Sequence, residues 1–239
     1  MKEINTAVRT DAPEIMDDFE LKGSELRQTL QDLNRVNKLL GGDRISIKGL
    51  KKLLSGIDKK EINIADVGCG NGAFLRHLAK WGRTHDYSFS LTGIDANPYA
   101  VEIAREQSSH FSEIKYLSID VFEPEFRNLE FDMVICTLTL HHFKDEQLIE
   151  LMNYFYDQSK IGVVINDLHR SSFAYRSFQA FCSVFINNEI ARKDGLTSIL
   201  RGFKRKDLEN YKKFLPPAEH FISWEWAFRY LWIVKKRII

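Results

Sequence analysis

The sequence predicts a doubly wound α/β fold with a mostly parallel sheet, and three observations carry that prediction. Between residues 61 and 167, short apolar runs alternate with amphipathic stretches at helical spacing, the pattern of a parallel sheet covered by helices on both faces. The first run passes straight into alternating glycines, "INIADVGCGNG" at 62–72, which reads as a strand turning tightly into a helix. The first three runs finish at or beside an aspartate: Asp66, Asp95 and Asp120. Right-handed crossovers bring every strand's C-terminal end to one edge, so these carboxylates converge where such sheets bind ligands.

Taken in order, residues 1–23 are polar and read as a loose lead-in. Ser24 caps a helix over "ELRQTLQDLNRVNKLL", which Gly41 and Gly42 stop. Leu26, Leu30, Leu33, Asn37 and Leu40 share one face of it, a stripe that serves either as a lid or as a dimer contact. A short helix follows at about 47–55. Strands are predicted at Ile62–Val67, Phe89–Ile94, Ile114–Ile119, Met133–Thr137 and Gly162–Asn166. Helices fit between them at Gly72–Trp81, Pro98–Ser108 (capped by Asn97) and Glu146–Gln158. After residue 167 the alternation breaks into a helical insertion at about 168–215, with Asp194 and Gly195 expected to form a turn. The final "HFISWEWAFRYLWIVKK" reads as a closing antiparallel strand pair. The organisation is thus a helical lid over 1–60 and an α/β domain over 61–239.

Composition narrows the function. Lys and Arg number 34 against 33 Asp and Glu, a formal net charge of +1, so no basic surplus points to nucleic acid. The three cysteines, Cys69, Cys136 and Cys182, have no metal-ligand spacing and suit reduced thiols in a cytoplasm; no metal is expected. Neither a signal-peptide core nor an apolar run of membrane-spanning length is present, so no stable membrane insertion is expected. Monomer and homodimer both remain open.

The glycines alone admit a dinucleotide, a phosphate or no ligand at all. Asp66 decides against pyrophosphate, since a carboxylate beside the turn favours a cationic ligand. Asp95 in "LTGIDANP" can accept both hydroxyls of a ribose. Asp120 can accept from the amino group of adenine while Val121 and Phe122 pack its ring. Together they describe an adenosine with a positive tail.

That order resembles the class I S-adenosylmethionine-dependent methyltransferases, a Rossmann-like fold whose seven-stranded sheet ends in an antiparallel strand. "IADVGCGNG", "TGIDANPYAVEIAR", "IDVFEP" and "FDMVICTLTLHHF" look like the family's first four motifs. The resemblance implies S-adenosylmethionine as cofactor, with Asp66, Gly68, Cys69 and Gly70 at its methionine and ribose part. It likewise implies Asp95 and Ala96 at the ribose, Asp120 and Val121 at the adenine, and Thr137 beside the methionine. The fourth strand lacks the Asn- or Asp-Pro-Pro-aromatic motif of enzymes that methylate adenine or glutamine nitrogen. With the neutral charge, this argues against DNA and for a small-molecule acceptor.

Methyl transfer to oxygen benefits from a base, and histidine titrates near working pH. His142 after the fourth strand and His169 after the fifth are the candidates, His169 first; His141 is expected to pack on a neighbouring loop. Arg170 is a candidate acceptor anchor, although a surface ion pair is the reading preferred for it. In the insertion, Ala174, Phe178, Phe181 and Phe185 share a helical face with Phe173 nearby, which either packs on the sheet or walls an apolar pocket. "NDLHRSSFAYRSF" with "DGLTSILRGF" also resembles a subgroup linked to polyketide and aromatic-lipid pathways, which implies a phenolic or long-chain aromatic acceptor; O-methylation is the expected reaction. Ring-carbon methylation of the quinone type is the near alternative. A nicotinamide-dependent oxidoreductase and a non-catalytic cofactor-binding protein are the rivals from other classes.

Overall fold

The computed structural model describes residues 4–237; the first three residues of the expected lead-in lie outside the described set. Seven strands form one sheet: β1 (Glu61–Val67), β2 (Ser88–Asp95), β3 (Ile114–Ser118), β4 (Phe131–Thr137), β5 (Ser159–Leu168), β6 (Glu219–Glu225) and β7 (Arg229–Lys235). Their order is β3-β2-β1-β4-β5-β7-β6, with β7 antiparallel to both of its neighbours and the other pairings parallel. The strand order reverses between β1 and β4, which places a ligand crevice beyond their C-terminal ends.

The helices are α1 (Gly23–Leu39), α2 (Gly42–Leu54), α3 (Ala73–Thr84), α4 (Pro98–Gln107), α5 (Pro124–Arg127), α6 (Asp145–Gln158), α7 (Ser172–Phe185), α8 (Glu189–Arg201) and α9 (Arg205–Tyr211). Period-two alternation in the strands feeds two cores. Ile62, Ile64, Met133, Ile135, Val164 and Ile233 face Leu50, Leu53, Leu75, Leu78 and Val101 from α2, α3 and α4. Ala65, Val67, Val134, Val163, Ile165 and Trp232 face Phe126, Leu148, Leu151, Phe155 and Leu208 from α5, α6 and α9. Burying one such Leu or Phe contributes about 1.5–3 kcal/mol, so both faces hold the sheet firmly. At Gly49, a Cβ would meet Val164 Cγ1 at 2.5 Å, which is how α2 lies so close to β5.

Several expected elements differ in detail. Helix α1 begins at Gly23 with Lys22 at its cap, where Ser24 was expected, and no side chain caps it. Helix α2 begins at Gly42 rather than 47 and packs on β5 and β7. Of the segment expected as a lid, α2 therefore belongs to the helical layer of the sheet. The stripe on α1 is used within the chain: Leu26 and Leu30 pack on Ala100 and Ile103 of α4. Asp194 and Gly195 form no turn; both lie inside α8, where bare Gly195 lets Phe178 of α7 approach. Asn97 caps α4 as expected, accepting from Tyr99 N and Ala100 N. No helix among the described residues is long and apolar enough to cross a membrane.

Candidate functional site

Beyond the C-terminal ends of β1, β2 and β4 lies a cavity of about 720 Å³, within the usual range for a small-molecule site. Its wall includes Asp66, Gly68, Cys69, Gly70, Asp95, Ala96, Asp120, Val121 and Thr137. The glycine turn makes this edge accessible. Gly68 (φ +77) and Gly70 (φ +50) adopt the left-handed conformation, and a Cβ on Gly68 would collide with Thr139. The backbone then folds back on the acidic edge: Gly70 N donates to Asp95 Oδ2 at 2.8 Å, and Asn97 N donates to Asp95 Oδ1 at 3.0 Å. Burial raises the Asp95 pKa, against the effect of those two N–H groups. Asp120 is fixed in the same manner, accepting from Phe122 N at 2.9 Å. The Thr137 hydroxyl bonds Ser46 Oγ of α2 at 2.8 Å. The Cys69 thiol is buried, and burial beside Asp95 and Asp66 pushes its pKa well up, so it is a wall and not a nucleophile.

Two charged groups in the wall lack compensation. Asp66 is 2% exposed, and burial, with Asp43 and Asp95 close by, holds its carboxyl well above the usual carboxylate range. Arg229, at the start of β7, is equally buried, and neither Nε nor Nη1 has a hydrogen-bond partner. Burial lowers its pKa to about 10, only partly offset by Asp167 and Asp43. An unmatched carboxyl and an unmatched guanidinium on one cavity fit a zwitterionic ligand end, and an adenosine with a methionine tail has one.

The same cavity is lined by Glu14, Asp17, His141 and His142. β4 ends in a tight turn, with Leu138 at φ 55, that leads into a 3-10 turn at Leu140–His142. Both rings are anchored at Nδ1. His141 donates to Asp167 Oδ1 at 2.7 Å, and His142 donates to Asp17 Oδ1 at 2.6 Å. Asp167 itself receives His141 N at 3.2 Å and Leu168 N at 2.7 Å. Burial acts to raise its pKa, but the charge and hydrogen bond of His141 prevail and lower it. Burial also depresses His142, yet the Asp17 hydrogen bond and the Glu14 charge raise it overall. For Asp17, burial is outweighed by His142, the Glu14 N–H and Arg201, which bring it to about 2. Glu14 accepts from Ser198 Oγ at 2.7 Å and from Arg201 Nη1 at 3.2 Å.

Around these polar groups the wall is apolar: Phe19, Leu33, Val36 and Leu40, then Ala174, Phe178 and Phe181 from α7, and Trp226 and Phe228 before β7. The face of α7 read from the sequence thus supplies both packing and wall. Phe173 does not join it; it is 69% exposed and stacks edge-on with Phe228.

The structure also places His169 and Arg170 outside this cavity. His169 N bonds Phe228 O, and its Nδ1 accepts from Trp224 Nε1 at 3.2 Å. Burial, with Lys204 and Arg170 nearby, lowers its pKa. Arg170 is 2% exposed, and its guanidinium is consumed by Thr6 O, Gly202 O and Asp207. It ties the insertion to the N-terminal segment and cannot anchor an acceptor. Both positions were misplaced because the residues after β5 leave the cavity edge to bridge Phe203.

Sequence reasoning missed Glu14, Asp17, Ser198 and Arg201. The lead-in is not loose: Arg9 bonds His141 O, Phe143 O and Asp145, while Ile15 N and Met16 N donate to the Asp194 carboxylate. Glu14 and Asp17 stand among Asp11, Asp18 and Glu20, so nothing local singles them out or gives their partners.

Residues 64–162 match the family described as "Methyltransferase domain". A ubiquinone biosynthesis O-methyltransferase of Rickettsia canadensis is 27% identical over 164 residues, which are 68% of this chain and 60% of that relative. A candidate protein N5-glutamine methyltransferase of Methanocaldococcus jannaschii is 30% identical over 126 residues, 51% of this chain and 58% of the relative. The chain thus spans about 60% of the length of the curated relatives it matches. Among solved structures, the plantazolicin methyltransferase BpumL in complex with SAH superposes with a TM-score of 0.66 at 16% identity, covering 89% of this chain and 90% of that one. Residues 64–162 thus resemble a methyltransferase domain, and the chain shares the fold of a solved methyltransferase.

Proposed function

We propose that the protein transfers a methyl group from S-adenosylmethionine to the hydroxyl of a small, apolar, aromatic acceptor. The observation that carries this reading is a single cavity holding three things: the Asp66–Asp95–Asp120 edge, an aromatic wall, and two histidines whose Nδ1 atoms are tied to carboxylates.

On this reading Asp95, held by Gly70 N and Asn97 N, keeps lone pairs for the ribose hydroxyls. Asp120 and Val121 take the adenine, and Asp66 and Arg229 take the ammonium and carboxylate of the methionine end. When bound, the cofactor supplies a methyl group on a sulfonium and leaves as the neutral thioether. The chain's part is to place the acceptor oxygen in line and remove its proton. Asp167 fixes His141 in the tautomer that leaves the Nε2 lone pair free for that proton, and Asp17 does the same for His142. The residues before α1, with α1 itself, act as the lid.

The apolar wall favours an uncharged ring with a hydrocarbon substituent, and the ubiquinone O-methyltransferase relative acts within that chemical class. The glutamine methyltransferase likeness does not extend to the Pro-Pro-aromatic motif, for which "TLTLHHF" stands after β4. The test is thermal stabilisation by S-adenosylmethionine but not by NAD(P), followed by mass spectrometry of products from alkylphenols of increasing chain length. O-methyl products are expected; stabilisation by NAD(P) alone, ring-carbon methylation, or cofactor binding without any product would overturn the respective part.

A further inference from the structure

We propose that Glu14, His141 and His142 bind one divalent cation of the Zn²⁺ type in the wall of the cavity. His141 Nε2 lies 3.7 Å from Glu14 Oε1, and His142 Nε2 lies 4.0 Å from Glu14 Oε2. One ligand atom from each of the three residues falls within 4.8 Å of the other two. Zinc takes nitrogen and carboxylate oxygen at about 2.0–2.2 Å, so ligands around one ion stand roughly 3–4 Å apart. The separations already approach that spacing.

A second, independent observation is the state of His141. Its ring is 2% exposed, and Nε2 has no hydrogen-bond partner although it is directed at Glu14. A buried ring nitrogen without a partner is costly, and a metal ion would satisfy it. A third is the outer layer. Metal-binding histidines characteristically donate their other ring N–H to a carboxylate, and both rings do so here, to Asp167 and Asp17. Fourth is charge. Glu14, Asp17 and Asp167 face the two rings with Arg201 as the guanidinium among them. With both histidines neutral the group carries two excess negative charges, which a dication cancels. Two imidazoles with one carboxylate suit Zn²⁺, Co²⁺ or Fe²⁺ better than Mg²⁺ or Ca²⁺, which prefer oxygen.

Glu14, His141 and His142 all line the cavity, so an ion held by them retains positions open to it. With the ion bound, both Nε2 lone pairs belong to it, and the ion would acidify the acceptor hydroxyl in place of a free imidazole base; that consequence rests on the function proposed above, and the existence of the site does not. The competing arrangement is a protonated His142 paired with Glu14 and Asp17, with no ion.

The test uses Co²⁺ as a spectroscopic probe on the full-length chain, without acceptor or methyl donor. The expected result is a single equivalent bound with visible ligand-field absorption of a low-coordinate N/O site, displaced by Zn²⁺. Glu14→Gln and His141→Ala should abolish the saturable signal, Asp17→Asn should weaken binding by roughly 10–100-fold, and His169→Ala should leave it unchanged. S-adenosylhomocysteine affinity measured on each variant separates a lost site from a lost fold. Absence of saturable uptake by the wild type, or uptake indifferent to Glu14→Gln in a variant that still binds S-adenosylhomocysteine, would overturn the proposal. A metal-binding protein that methylates no phenol would instead refute only the proposed function.

Discussion

Asp95 receives Gly70 across 25 residues and Asn97 across two, whereas Glu14 receives Ser198 and Arg201 across 184 and 187. The two halves of the cavity are therefore assembled differently. The glycine–aspartate edge is made by strand ends and the turns that follow them, and its polar contacts are mostly backbone N–H groups. The histidine–carboxylate cluster is made by side chains from the N-terminal segment, the turn after β4, the end of β5 and α8. A local edge survives side-chain change elsewhere; a cluster of distant side chains fails as a unit when one member is lost.

The largest separation is expected from Asp95→Ala. Removing a half-buried carboxylate that holds two backbone N–H groups and faces the cavity should weaken cofactor binding by about 2 kcal/mol or more, roughly 30-fold in Kd. Calorimetry with S-adenosylhomocysteine measures it, and an unchanged Kd would remove Asp95 from the site. On the other side of the comparison, Phe178→Ala should raise KM for long-chain alkylphenols by roughly tenfold, from the lost apolar contact of about 1.5 kcal/mol. KM for a short phenol and the cofactor Kd should stay put. Equal losses for short and long acceptors would mean that Phe178 only packs α7 on Gly195.

A smaller effect should appear in stability. The folded-state pKa of Asp66 lies above its unfolded value, so the folded protein holds a proton that the unfolded chain releases. The stability linked to that proton is fully present below the ordinary carboxylate range and is lost as pH rises through the raised folded value. Asp66→Asn should remove this part of the pH dependence. It should also raise the melting temperature of the ligand-free protein at neutral pH by about 2–4 °C, while weakening cofactor binding. Parallel melting curves against pH for variant and wild type would contradict an uncompensated Asp66.

How much was legible follows the same division. The strands, the Asn97 cap, the glycine turn and the three aspartates were legible because each is a local pattern: period-two alternation, Pro98 at a first helical position, positive φ at glycine. Crossover handedness brought the C-terminal strand ends to one edge, whereas the strand order itself came from the structure. His169 and Arg170 were misassigned because a residue's distance along the chain from a strand end does not say where the next loop turns. Here that loop turns toward Phe203. Glu14 and Asp17 were illegible because a polar segment without periodicity carries no sign of its destination. His141 bonds a neighbouring segment as expected, but that its partner is Asp167, 26 residues away, and that Glu14 lies opposite are not legible locally.

The central claim is that proton removal belongs to the cluster after β4 and not to the residues after β5. Its most direct test is the turnover of His141→Asn beside that of His169→Asn at saturating S-adenosylmethionine on one alkylphenol. The account predicts a fall of about 10²–10⁴-fold for His141→Asn and a rate within about twofold of wild type for His169→Asn, whose ring accepts from Trp224 outside the cavity. Retained turnover in His141→Asn, or the large loss in His169→Asn instead, would contradict it.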